Sequence, residues 1–401
     1  MVWGCDAQEQ PSAEPPAAEA EATASELNEE LREQLAQLGY SEFSADVAGA
    51  ESGVVLHDAQ QSSPGYSLYT VVPRSLSVLI DSDGQEINSW PIDGAFWTTR
   101  CELLSNGDVL IIGTDRDGDD LSGYLQRMSW EGEVLWRREV MAHHDVELTP
   151  DGNVLTITSE DRWLPDLDPK RPCQDNVLSL FTAEGEDLGT LSLHDLVATD
   201  PKALPLIQPT KGIKRDFQDF FHANSAVWMP MEDLVGSHTL YNRDHVLVTL
   251  RHQNMIMVVD WVQQRIVWTW GRGELVLPHE ATWLANGNLL VFDNGDVNRP
   301  WSRIVEMDPR VGEIVWEYKA SVPGSFYSPG RGTAQRLPND SILVSYSSEG
   351  EAFEVTREGR VVWRFLSPYL SRSGNRLAVR MKRYSLDMVD AILQRHGPSQ
   401  R

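Results

Sequence analysis

Residues 132–136 read Gly132-Glu133-Val134-Leu135-Trp136, and the phrase returns as Gly312-Glu313-Ile314-Val315-Trp316 and Gly359-Arg360-Val361-Val362-Trp363. Looser copies run from Gly84 to Trp90 and over Arg265-Ile266-Val267-Trp268, while Gly185 to Leu191 is a copy that lacks its tryptophan. Each is a turn residue followed by a short aliphatic run, the pattern of a strand leaving a hairpin. Trp90 to Trp136 is 46 residues, Trp268 to Trp316 is 48 and Trp316 to Trp363 is 47. That period is the length of a four-stranded propeller blade. With the degenerate copy counted, the chain is expected to form an all-β, six-bladed β-propeller with tryptophans packed between blades. A β-sandwich is the alternative fold, but regular repeats favour radial closure.

A second mark supports the period. A leucine, then Asn-Gly or Asp-Gly, precedes a strand at Leu104 to Asp108, Leu148 to Asn153 and Leu284 to Asn288, with Leu337-Pro338-Asn339-Asp340 as a worn copy. The glycine supplies the left-handed geometry that a tight hairpin needs. Residues 160–176 and 199–220 fit no blade and carry Pro165, Pro169, Pro172, Pro201, Pro205 and Pro209, so they read as long loops on a functional rim. The expected organisation is a solvated tether over 1–24, a short helix and linker over 25–65, the propeller over 66–370 and an extension over 371–401. Leu27, Leu31, Leu35 and Leu38 mark the N-terminal helix, and a C-terminal helix is expected over Leu386 to Gln394, stopped by Gly397-Pro398.

Composition narrows the function. Sixty acidic residues against 34 basic ones give a formal charge of -26, which opposes general nucleic-acid binding. Val2-Trp3-Gly4-Cys5 looks like the end of a bacterial lipoprotein signal, so Cys5 is the expected lipidation site, with 6–23 as a leash to an envelope membrane. Cys101 and Cys173 are too few for a disulfide scaffold and badly spaced for a structural metal.

The chemistry gathers in the repeat. His144-Asp145 stands seven residues before Asp151-Gly152-Asn153, and His279-Glu280 stands seven before Asn286-Gly287-Asn288. In a propeller that position begins an innermost strand beside the central channel. The register yields Thr99, His144, His279 and Gly332, with Arg331 adjacent, and His222 follows the same logic. Arg251 and His252 come from the middle of the His222 blade. Strand alternation would turn Asp145 and Glu280 away from His144 and His279, and would turn His252 away from Arg251. Imidazoles with an arginine suit an oxyanion. A histidine-metal enzyme is an alternative, because three imidazoles are the ligand set of some zinc enzymes. A non-catalytic propeller that binds an anionic or aromatic ligand is the other.

Phe221-His222-Ala223-Asn224-Ser225, Leu250-Arg251-His252-Gln253-Asn254 and Pro278-His279-Glu280-Ala281-Thr282 together resemble the bacterial arylsulfate sulfotransferase family. His143-His144-Asp145-Val146 with Pro150 to Leu155 is similar to it as well. The resemblance covers roughly Tyr66 to Tyr369. It implies a periplasmic or surface-exposed six-bladed propeller that moves sulfuryl groups from an aryl sulfate donor to a phenolic acceptor without a nucleotide or other cofactor, and without a metal. Carried over by motif, His279 is the nucleophile that becomes a transient sulfohistidine. His144, His222, Asn224 and Arg251 bind and polarise the sulfuryl oxygens, and His143, His252, Thr99 and Arg331 line the substrate site. The chain departs from the known members between Ser41 and Gly65, a stretch too short for their N-terminal β-sandwich. Two further motifs are weaker. Asp115 to Asp120 resembles a calcium loop but has Gly118 too early and no closing Glu, and Trp268-Thr269-Trp270-Gly271 resembles one isolated element of quinone-dependent propellers.

Overall fold

The computed structural model describes residues 51–397 except 73, 118, 119, 209–216, 323, 372 and 373. The tether, the helix expected around Leu27–Leu38 and Cys5 lie outside the described residues. Among the described residues six antiparallel sheets follow one another as blades. A first strand, β1 (Gly53–His57), precedes the blades, and the first blade takes β2 (Tyr66–Val72), β3 (Leu76–Ile80) and β4 (Glu86–Pro91). The second is β5 (Trp97–Leu103), β6 (Val109–Asp117), β7 (Asp120–Met128) and β8 (Val134–Arg138). The third is β9 (Ala142–Leu148), β10 (Val154–Arg162), β11 (Cys173–Phe181) and β12 (Asp187–Ser192), extended by the short parallel β13 (Gln218–Asp219). β14 (Ala223–Trp228), β15 (His245–Leu250), β16 (Met255–Asp260) and β17 (Arg265–Trp270) form the fourth. The fifth is β18 (Ala281–Trp283), β19 (Leu289–Asp293), β20 (Arg303–Asp308) and β21 (Glu313–Tyr318). The sixth is β22 (Thr333–Arg336), β23 (Ile342–Tyr346), β24 (Glu351–Val355) and β25 (Val361–Leu366).

The ring is wider than the 66–370 expected from sequence. β1 pairs with β25 as the outer edge of the sixth blade, and β26 (Ala378–Tyr384) pairs with β2 as the innermost strand of the first. Strands from both ends therefore close the circle, a necessity for a sheet array that must leave no open seam. The sequence hides β26 because Arg380, Lys382 and Arg383 interrupt its apolar pattern, and each is held in ion pairs.

The tryptophans do join blades, by a repeated bond. Trp90 donates its indole N–H to the Ser129 carbonyl at 3.1 Å, Trp136 to Ala183 at 2.9 Å, Trp270 to Gly312 at 3.1 Å, Trp316 to Arg357 at 3.0 Å and Trp363 to Ser82 at 2.9 Å. Each bond runs from the fourth strand of one blade, counted from the channel, to the last turn of the next, and Trp363 to Ser82 links the sixth blade to the first. In the fourth blade the bond belongs to Trp270, not to the Trp268 that the spacing had singled out. The third blade, the copy without tryptophan, has Gly189 in β12, and the Trp261 ring of the next blade lies across it.

Among the described residues two α-helices sit outside the sheets. α1 (Leu193–Thr199) falls at the edge of a stretch expected to be loop, and Ser192 caps it by accepting from the Asp195 N–H. α2 (Leu386–His396) is the expected C-terminal helix, and it buries Val389 and Ile392 against the Leu79, Trp90 and Ile111 core of the first two blades. Cys101 and Cys173 are both free and buried, on β5 and β11.

Candidate active site at the channel mouth

The innermost strands are β26, β5, β9, β14, β18 and β22, and their first residues meet at one end of the channel. A cavity of about 60 Å³ is lined there by Thr99, His144, Asn224, His279, Glu280, Arg331, Gly332, Thr333 and Arg380, among others. Residues from several blades, separated by long stretches of chain, thus reach one space, as the register predicted.

Bulges aim them. The pairing of the inner strand slips between Thr98 and Arg100 in the second blade, opposite Thr156 and Ile157 in the third, and between Ala223 and Ser225 in the fourth. Thr99, His144 with Asp145, and Asn224 are the residues at those slips. A bulge bends the strand and re-aims a side chain, which overrides simple alternation. His144 and His222 both have left-handed backbones, with φ of 61° and 46°. For a non-glycine residue that conformation costs on the order of 1 kcal/mol or more and persists only where neighbours hold it.

The expectation that alternation separates the carboxylates from the histidines is corrected for Glu280, whereas Asp145 is buried and is not among the residues that line the cavity with His144. Glu280 lines the same cavity as His279, and Asp145 sits just beneath with Arg380 and the Ala226 N–H as partners. The placing of His252 is corrected for a related reason. Arg251–Gln253 is a 3-10 turn rather than strand, so no alternation applies, and Arg251 Nη1 donates to His252 Nε2 at 3.0 Å. The turn is tied to the His222 segment by Arg251 N–H to the His222 carbonyl and His252 N–H to the Phe221 carbonyl.

Four of the five histidines at the mouth form a chain. Ring centroids lie 4.9 Å apart for His143 and His144, 4.9 Å for His144 and His222, and 4.6 Å for His222 and His252. His222 Nδ1 is 2.7 Å from Asp219 Oδ2, and the His222 N–H donates to Asp219 Oδ1. His252 Nδ1 donates to the Asp219 carbonyl at 2.8 Å.

On the far side, His279 Nδ1 is 2.8 Å from Asn294 Oδ1. Asn294 is fully buried, and its amide nitrogen donates to the carbonyls of Ser328 and Arg331. The amide can therefore present only its oxygen to His279. His279 must carry its proton on Nδ1, which leaves the lone pair on Nε2.

Burial keeps the His143, His144, His222 and His279 rings neutral. Burial pushes His143 down to about 4 and His222 to about 3, the latter against the pull of Asp219. His279 is held well below the ordinary range by burial and by the Arg251 charge, and His144 by burial, its neighbouring histidines and Arg380. Asn224 gives one amide hydrogen to the Pro278 carbonyl, beside His279, at 3.2 Å. Among the described residues Thr99 Oγ1, His143 Nε2 and Asn224 Oδ1 are buried with no hydrogen-bond partner. Such atoms are costly unless something polar enters.

Asp219, His222 and His252 are the cluster with metal-ligand chemistry among the described residues. It fits a metal poorly. The Asp219 and His222 atoms stand at a hydrogen-bond distance, each His Nδ1 already has a protein acceptor, and Arg251 places a guanidinium against His252. A second cation there would be repelled.

Sequence reasoning missed Asn294, Asp219, Glu280 and Arg380. Asp219 had a faint signal, three residues before His222. Asn294 follows a strand in a different register and had none.

The family model described as arylsulfotransferase (ASST) matches residues 100–367, more than half of the chain. No curated protein sequence matches. Among solved structures, a protein of unknown function from Bacteroides caccae is similar at 15% identity, covering 76% of this chain and 94% of that one, with a TM-score of 0.47. A catalytically inactive virginiamycin B lyase from Staphylococcus aureus with quinupristin is similar at 10% identity, covering 83% and 96%, with a TM-score of 0.46. A streptogramin B lyase is similar at 13% identity over 86% and 96%, with a TM-score of 0.42.

Proposed function

The chain belongs to the arylsulfotransferase family, and from that premise we propose that it moves a sulfuryl group from an aryl sulfate to a phenol through a sulfohistidine on His279. The observation that carries the reading is the Asn294 bond, which leaves a lone pair on His279 Nε2 in a cavity lined by hydrogen-bonding groups. In the first half, Nε2 attacks sulfur, the N–S bond forms, and the S–O bond to the aryl group breaks to release the phenolate, which takes up a proton from water. In the second half, the acceptor oxygen attacks sulfur, the N–S bond breaks to restore the neutral ring, and the acceptor proton passes by way of His144 or His222 to water. A neutral imidazole is a competent nucleophile near pH 7 and, once sulfated, a good leaving group.

The sulfuryl oxygens carry charge throughout, so fixed donors around them lower the barrier. Arg251 and Arg331 supply cations, and Thr99 and His144 supply polar atoms. Asn224 holds the Pro278 carbonyl and leaves Oδ1 as an acceptor for the phenolic hydroxyl. The cavity suits the sulfuryl group alone, at about 60 Å³. A buried site for a benzene ring takes roughly 150 Å³, so the aryl group would lie outward toward the rim.

Purified protein, given a chromogenic aryl sulfate and phenol, is expected to release the donor phenol and form a new sulfate ester without added nucleotide. Retention of the aryl sulfate without turnover, across a broad donor panel, would instead make it a binding protein. We also keep the envelope location and the lipid on Cys5 as part of the proposal. Mass analysis of the native amino terminus tests them, and an unmodified Cys5 overturns the anchor.

A further inference from the structure

Arg380 stands on β26, the strand that closes the ring, and lines the same cavity as His144 and His279. Its Nη1 donates to the carbonyl of His144. Its Nη2 is 3.1 Å from Asp145 Oδ1 and 2.8 Å from Glu280 Oε2. Asp145 directly follows His144 and Glu280 directly follows His279, so one guanidinium from the first blade grips the chain next to both histidines, in the third and fifth blades. Arg100 supports the same two carboxylates from below, at 3.5 Å and 3.8 Å. Asp145 Oδ2 is fixed by the Ala226 N–H at 3.1 Å.

Two physical consequences follow. The bond to the His144 carbonyl helps hold a backbone that is otherwise strained at φ 61°. The charge also offsets two carboxylates, one of which lines the cavity, that would repel an anionic group there. A planar, five-donor guanidinium can meet one carbonyl and two carboxylates at once, and an ammonium cannot hold the same fork.

We propose that Arg380 is a positioning residue for the group transfer inferred above, setting His144 and His279 across the cavity through their own backbone and adjoining carboxylates. The inference rests on that functional reading. Ring closure and site assembly thereby become one event, because the strand that seals the propeller also carries the clamp.

Arg380→Lys and Arg380→Met test it, with folding checked by thermal melting. In single-turnover assays, sulfuryl uptake is expected to fall at least tenfold in Arg380→Lys, in the rate constant more than in donor KM. A second readout does not need activity. His144 faces His143, His222, His279 and Arg380, and the last lowers its proton affinity. Histidine side-chain NMR should therefore show His144 titrating at higher pH in Arg380→Met than in the parent. Should the Met variant fail to fold, the Lys variant is read by the uptake assay alone, because it keeps the charge that acts on His144. Uptake within twofold of the parent and an unmoved His144 titration would overturn the proposal. If the parent itself transfers no sulfuryl group, the functional reading fails, while the His144 titration still decides what Arg380 holds.

Discussion

Asn294 Oδ1 accepts from His279 Nδ1 at 2.8 Å, and this single bond sets which nitrogen of the ring is free. The two residues flank the hairpin of β18 and β19, so they meet through pairing within one blade. The amide cannot turn over, because its nitrogen is engaged by the Ser328 and Arg331 carbonyls from the loop that leads into the sixth blade.

Asn294→Ala should remove that control, and it also releases the Arg331 carbonyl at the cavity wall. The ring would then rotate or take the other tautomer, and misplacement on this scale typically costs about 10²-fold in rate. The check is single-turnover sulfuryl uptake beside a thermal melt. A full rate in a folded variant would show that His279 needs no orienter.

His279→Asn should abolish the covalent adduct while the protein stays folded. Intact-protein mass after exposure to donor with a slow acceptor is expected to show the added sulfuryl mass in the parent only. Arg251→Ala should keep the adduct but form it more slowly and bind donor more weakly, since its charge bears on the His279 and His222 rings. An adduct on the Asn variant would remove His279 from the nucleophile's place.

Acid should destabilise the fold earlier than carboxylate titration alone would. An unfolded imidazole takes up its proton near pH 6.5, whereas His143 waits until about 4 and His222 until about 3. Unfolding therefore takes up protons in that window. The contribution of each ring is complete above pH 6.5 and is lost as pH falls, by about 1.4 kcal/mol per unit. His144 and His279 act in the same direction. Asp145, raised to about 6 by burial, works the opposite way and offsets one ring between about pH 4 and 6. Melting midpoints measured from pH 7 to pH 4 should fall steeply below 6.5. A flat profile down to pH 5 would mean that the rings are not buried in neutral form.

Trp363→Phe should weaken the seam where the last blade meets the first. It removes the indole donor and leaves the Ser82 carbonyl without it, a loss of about 1–3 kcal/mol. Thermal melting reads this directly, and Trp136→Phe at an internal seam gives the comparison. Equal stability of Trp363→Phe and parent would show that the indole bond contributes nothing to closure.

The sequence by itself determined the number of blades, their order and the ring of positions that faces the channel. Those features come from local causes: turn glycines set the hairpins, short apolar runs set the strands, and the Gly-to-Trp phrase repeats at blade length. Thr99, His144 and His279 were legible because each stands at a constant distance from such a turn. Only the tertiary structure decided which side chains complete the site. Asn294 and Asp219 are short-range partners whose orientation depends on backbone that curls at the mouth, and the bulges at His144 and Asn224 cancel the alternation by which a strand is read. Arg380 lies 236 residues from the His144 carbonyl it grips. No local pattern brings those two together, because their meeting is fixed by the closing of the ring.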